Sequence, residues 1–255
     1  MARKGRQLDE LTTVAVADTL RRLAAVVDDD LPRTYWTGEG EWPPIAAGFM
    51  ARLGDIAESA ALLIENGRGP DAQVLGRIMY EQAVNFCWIA TDPDRRIARW
   101  KDSYRAQLRA THEAAIKYGL ELLSPQELEQ VQGKRKISVE TMAAQADRYW
   151  SPRIAGFRIA TDKKEQINLL TIEGLYLGVY RVASRIVHAT VFSLDSVLRQ
   201  NTSQRVVVER RKSNTVETAP TPVPIFVMAI AVHHHLFKWP DVDRAYTLSD
   251  ALHWV

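Results

Sequence analysis

Apolar residues recur at helical spacing along almost the whole chain, and the residues that interrupt them read as helix starts and stops more than as strand turns. The spacing predicts a first amphipathic helix over Leu8 to Val27, closed by Asp28-Asp29-Asp30-Leu31-Pro32. A loop with aromatic anchors follows from Tyr35, and Pro44 opens a second helix that runs to Glu65 and ends at Asn66-Gly67. A third helix covers Asp71 to Ala90. Asp92-Pro93 starts a long, arginine-rich fourth that reaches Tyr118-Gly119. Ser124-Pro125-Gln126-Glu127 has capping-box form, so a short helix begins there, and another covers Val139 to Tyr149. After a loop at Trp150-Ser151-Pro152, a helical stretch extends from Asp162 to Arg199.

Arg205 to Arg211, the tip Lys212-Ser213-Asn214, and Thr215 to Thr218 have the form of a small β-hairpin. The proline-rich segment from Pro220 to Pro224 stops it, and a last apolar helix covers Ile225 to Phe237. The expected fold is therefore all-α, a helical bundle with a small C-terminal β-hairpin. A helical domain over residues 1–200 carries any site, and residues 201–255 form an appendage packed on the same domain.

Composition narrows the function classes. The chain has 255 residues, 46% of them hydrophobic and 25% charged, which is ordinary globular usage and argues against disorder or a rod. With 33 Lys+Arg against 31 Asp+Glu the net charge is +2, too small to imply a nucleic-acid or membrane partner by itself. A single cysteine, Cys87, excludes an intrachain disulfide and suits a reducing compartment, so a cytoplasmic location is expected. The basic N-terminus runs into Leu8-Asp9-Glu10 with no apolar core of a signal peptide. Gly174 to Leu194 is apolar enough to raise a membrane question, but Arg181, Arg185 and His188 in its middle are costly in lipid, and no membrane span is expected.

Candidate chemistry lies where charges are scarce. Between Asp71 and Asp92 the only formal charges are Arg77 and Glu81, so this helix is expected to be buried all round, with Arg77, Glu81 and Asn85 forming a polar stripe. Between Glu173 and Asp195 the only charges are Arg181 and Arg185. Tyr180, Ser184 and His188 fall at i, i+4 and i+8, which puts Tyr, Arg, Ser, Arg and His on one side of a second buried helix. Such stripes are best satisfied by facing each other, with Glu81 toward Arg181 or Arg185. A network of this kind can be purely structural, fixing helix register. It can also be a site in which His188 is an acid/base and the arginines hold an anion.

Arg77-x-x-x-Glu81-x-x-x-Asn85, Asp92-Pro93, Trp100 and Tyr180-x-x-x-Ser184-x-x-x-His188 resemble a bacterial helical family of unknown function, over roughly residues 50–200. The spacing Arg181-x6-His188 is also similar to the R-x(4–6)-H signature of HEPN domains, helical modules that include metal-independent ribonucleases acting as toxins or in defence against phage. That resemblance implies a homodimer whose cleft joins Arg181 and His188 of two protomers, RNA as substrate, no metal or other cofactor, and an antitoxin or defence-system protein as a further partner. The sequence departs from those nucleases at Val182, where they often carry a polar residue. Tyr180, Arg185, Ser184, Arg77, Glu81 and Asn85 would then hold the phosphate or support the pair. The alternative is a non-catalytic scaffold or anion-binding module.

Other signals weigh less. His233-His234-His235 cannot all reach one metal, because consecutive helical residues point about 100° apart; one is expected to be packed and the others solvated, and His235 with Asp241 lacks a third ligand. His112 reads as a surface residue. Arg95, Arg96, Arg99, Lys101, Arg105 and Arg109 form either a phosphate track or, more simply, a solvated helix face, and Arg205, Arg210, Arg211 and Lys212 at the hairpin tip are a second basic candidate. Cys87 reads as a core thiol. No phosphate-binding glycine loop, dinucleotide fingerprint or nucleophile elbow is present.

Overall fold

A computed structural model describes residues 2–34, 40–131, 137–154, 171–181, 183–184, 198–200, 206–208, 222–238 and 245. Among them the fold is mainly helical, as the spacing predicts. The first two helices, α1 (Ala2–Thr34) and α2 (Trp42–Glu65), pack along each other, and Arg21 in the middle of α1 pairs with Glu65 at the far end of α2. Helix α1 does not stop at the aspartate run. Leu31 lies four residues beyond Val27 on the stripe Val16–Leu20–Leu23–Ala24–Val27, and its packing against the core carries the helix on to Thr34.

Pro43 and Pro44 sit in the first turn of α2, where their missing N–H groups cost nothing, so the helix starts two residues earlier than expected. At its other end the Gly67 amide donates to the Ile64 carbonyl at 2.9 Å and the Arg68 amide to the Leu63 carbonyl at 2.8 Å. This Schellman closure requires the left-handed φ of +68° that Gly67 adopts.

Helix α3 (Gly69–Ile89) is the centre of the bundle. It touches α2, α4 (Pro93–Ile116), α6 (Val139–Trp150), the segment beginning at Ile172 and the last helix, α8 (Pro222–Phe237). Its Tyr80, Phe86, Cys87, Trp88 and Ile89 are sealed from solvent, but the helix is not buried all round as expected: Val74 and Leu75 are half-buried and Ile78 is exposed, so one face of it reaches the surface. Two indoles tie it to α6: Trp88 Nε1 donates to Gln145 at 2.8 Å and Trp150 Nε1 to the Cys87 carbonyl at 2.8 Å. Helix α8 is buried at nearly every position from Pro222 to His233.

Helix α4 differs. Of its 24 residues only Ile97 and His112 are buried, so most of its length stands off the bundle. The short α5 (Pro125–Gln130) returns beside it, started by the expected reciprocal cap of Ser124 and Glu127. His112, read from the sequence as a surface residue, is only 5% exposed, because its Nδ1 accepts the Leu123 amide at 3.1 Å and fastens the returning chain to α4.

Thr171 caps α7, whose first turn, Ile172–Leu175, widens into a π-helical turn over Tyr176–Tyr180. Of the stretch expected to be helical from Asp162 to Arg199, Ile172 to Arg181, Ala183 and Ser184 are helical among the described residues, and Leu198–Gln200 is extended. The C-terminal hairpin expected about Lys212–Asn214 is not supported. Val206–Val208 pairs antiparallel with Leu198–Gln200 upstream of it, and Thr215 to Thr218 lie outside the described residues. No helix among the described residues is long and apolar enough to cross a membrane.

Candidate functional site

The two polar stripes meet in part. Tyr80, Tyr176 and Tyr180 form an aromatic cluster between α3 and α7: Tyr176 stacks on Tyr180 with centroids 5.3 Å apart, and Tyr80 lies 5.7 Å from Tyr180. The buried Tyr80 hydroxyl donates to the Ile172 carbonyl at 2.6 Å and so fixes the start of α7. Against this cluster lies Arg77. Its guanidinium sits over the Tyr180 ring, 5.1 Å from the centroid, and donates a long hydrogen bond to the Tyr180 hydroxyl at 3.5 Å. Burial raises the Tyr180 hydroxyl above the ordinary tyrosine range, with the Arg77 hydrogen bond opposing it.

Glu81 does not reach across to Arg181. Its carboxylate pairs with Arg77 one turn away on its own helix, at 3.4 Å, where i,i+4 spacing brings the two side by side. Asn85 and Ser184 are also satisfied locally. The Asn85 amide donates to the Glu81 carbonyl at 2.6 Å, and the Ser184 hydroxyl to the Tyr180 carbonyl at 2.7 Å.

Helix α7 is not buried all round. Ile172, Leu175, Val179 and Ala183 face inward, while Glu173, Leu177 and Arg181 are exposed. Arg181 follows Tyr180 by one residue, about 100° round the helix, so turning Tyr180 onto α3 carries Arg181 to solvent. It makes no ion pair among the described residues. Arg185 and His188 lie outside the described residues, so Arg77, Glu81 and Tyr180 are the members of the expected network that the structure brings together.

Sequence reasoning missed Gln73. It stands one turn before Arg77 and extends the stripe to Gln73–Arg77–Glu81–Asn85, yet it is only 3% exposed. Its Oε1 and the Nε of Arg77 are both buried without a hydrogen-bond partner among the described residues. Counting amides as well as formal charges along the helix would have found it.

The weaker signals separate. His233 is fully buried, stacked on Phe86 at 5.7 Å and tilted against Phe237 at 4.5 Å, while His234 is half-buried and His235 exposed, its ring edge-on to Trp150. Asp241 lies outside the described residues. Cys87 is a buried core thiol whose ionisation burial pushes up. Along α4, Arg96 donates to the Trp88 carbonyl at 2.9 Å and covers the Trp88 ring, a structural role. Arg109 pairs with Glu113 at 2.9 Å and Arg95 approaches Asp92. A continuous phosphate track of six cations is therefore not what α4 presents. Arg205, Arg210, Arg211 and Lys212 lie outside the described residues.

The profile of a family of unknown function, DUF5677, matches residues 45–205, more than half of the chain. The chain belongs to the DUF5677 family. The matched span begins three residues into α2 and runs through α7, and with them it holds the Arg77–Glu81–Tyr180 cluster of this DUF5677 protein. No curated protein and no solved structure matches the chain.

Proposed function

We propose that this DUF5677 protein is a metal-independent endoribonuclease of the HEPN kind, cytoplasmic and homodimeric, working as a toxin or anti-phage effector with a partner protein that restrains it. One observation carries the reading. Arg181 is presented to solvent with no carboxylate partner among the described residues, on a helix whose inner face Tyr80 and Tyr180 anchor to α3, and it precedes His188 by seven residues. An unpaired, solvent-facing arginine on an anchored helix is available to a phosphate and to a second protomer.

In that reading His188 takes the proton from an RNA 2′-hydroxyl. The 2′-oxygen attacks the adjacent phosphorus, the 5′-oxygen leaves, and Arg181 balances the charge that builds on the equatorial oxygens. Substitution of an exposed residue leaves stability within about 0.5 kcal/mol, so Arg181→Ala separates chemistry from folding. His188→Ala and Arg181→Ala are each expected to abolish RNA cleavage by the purified protein and toxicity on expression, with Arg181→Ala melting as the parent does. Full cleavage or toxicity in either variant overturns the reading.

A second reading, a non-catalytic module that binds a small anion, is favoured by the buried Gln73 Oε1 and Arg77 Nε, which have no hydrogen-bond partner among the described residues. A polar ligand or water carrying both a donor and an acceptor would satisfy them.

A further inference from the structure

Two stripes of unlike chemistry run side by side along the exposed length of α4. Trp100, Tyr104 and Leu108 recur every fourth residue, and Lys101 and Arg105 recur with the same step, about 100° further round. With Gln130 and Val131 at the end of α5 they line a surface groove of about 300 Å³. Trp100 is its fixed floor, half-buried and packed on Phe49 with centroids 5.6 Å apart. Tyr104 is its open wall, 60% exposed, which is high for so large an aromatic.

Lys101 and Arg105 are the cations of α4 that face this groove. Lys101 is held by Glu41 at 2.8 Å and Arg105 by Asp102 at 3.1 Å, and all four side chains keep a third or more of their surface in water. Exposed pairs of this kind contribute little, so a phosphate can replace either carboxylate at small cost. A rigid aromatic floor, a free aromatic face and two exchangeable cations one helical turn apart are what a stacked base and its backbone phosphate require.

We propose that this α4–α5 groove binds single-stranded RNA, with a base stacked on Tyr104 and the adjoining phosphate on Lys101 and Arg105. The choice of RNA rests on the nuclease reading above; the groove supplies a holding site that uses neither Arg181 nor His188. The test is fluorescence anisotropy of the full chain with a labelled, single-stranded 2′-O-methyl oligoribonucleotide of about 12 nucleotides, which lacks the nucleophile that cleavage needs. Tyr104→Ala is expected to weaken binding about 5- to 150-fold, whereas Tyr104→Phe, which keeps the stacking face, binds as the parent does. The double variant Lys101→Gln/Arg105→Gln is expected to reduce the slope of log Kd against log salt by about 0.7, the share of one phosphate.

Binding unchanged by Tyr104→Ala, or a salt slope unchanged in the double variant, overturns the groove. Tyr104-dependent binding by a protein that cleaves no unmodified RNA leaves the groove standing and defeats the nuclease reading. Cleavage with Tyr104-independent binding does the reverse.

Discussion

A histidine kept neutral inside an aromatic stack couples folding to pH. Burial between Phe86 and Phe237 holds the His233 imidazole down to about 3, with neighbouring His234 adding to the effect, whereas in the unfolded chain it titrates near the ordinary value of about 6.5. Between those values the unfolded state carries the extra proton. Stability contributed by neutral His233 is therefore complete above about pH 6.5 and is lost as pH falls toward 3, at about 1.4 kcal/mol per pH unit in the middle of the window. His233→Phe keeps the stack and removes the proton. Its unfolding free energy, measured by urea titration from pH 7 to pH 4.5, is expected to fall with a slope shallower by about one proton, and equal slopes would show that His233 does not carry the effect. The triple histidine was legible as one packed residue beside others nearer solvent, because their angular spacing alone forbids a shared fate. Gln73 and His112 were not: an amide adds nothing to a charge count, and His112 is buried only because Leu123, eleven residues on, folds back to it.

Elements follow the same division between local and distant causes. Helix starts were legible wherever the signal is local, as with the Ser124 cap or the prolines of α2, and the end of α1 was not, because the packing of Leu31 decides it. The clearest distant cause is the Tyr80 hydroxyl, which crosses from the middle of α3 to the Ile172 carbonyl and orients the turn that carries Tyr180 and Arg181. Tyr80→Phe is expected to cost about 1 kcal/mol of global stability, the net worth of one hydrogen bond. Its effect should concentrate in α7, where amide exchange over Ile172–Arg181 is expected to quicken while α2 and α6 keep their protection. Uniform loss of protection across all helices would mean that this contact stabilises the bundle as a whole and does not position the candidate arginine.

At the scale of the molecule, the span that defines the family and the span that can fold differ. Residues 45–205 omit α1 and α8, yet both pack on α2, and α8 also covers α3. Helix α1 contributes Val16, Leu20, Leu23 and Val27 to the core, and α8 contributes Val223, Ile225, Phe226, Met228, Ile230 and Val232, all at 2% exposure or less. Each large apolar partner on α2 or α3 that is re-exposed forfeits about 1.5–3 kcal/mol, so losing a few of them removes a large share of the roughly 5–15 kcal/mol that holds a typical domain together. The central helix then loses the cover over its sealed residues, such as Phe86. A fragment of residues 45–205 is accordingly expected to lack a cooperative thermal transition and to bind a hydrophobic dye, whereas the full chain melts cooperatively. A fragment that melts as one unit would mean that α2 to α7 close a core of their own.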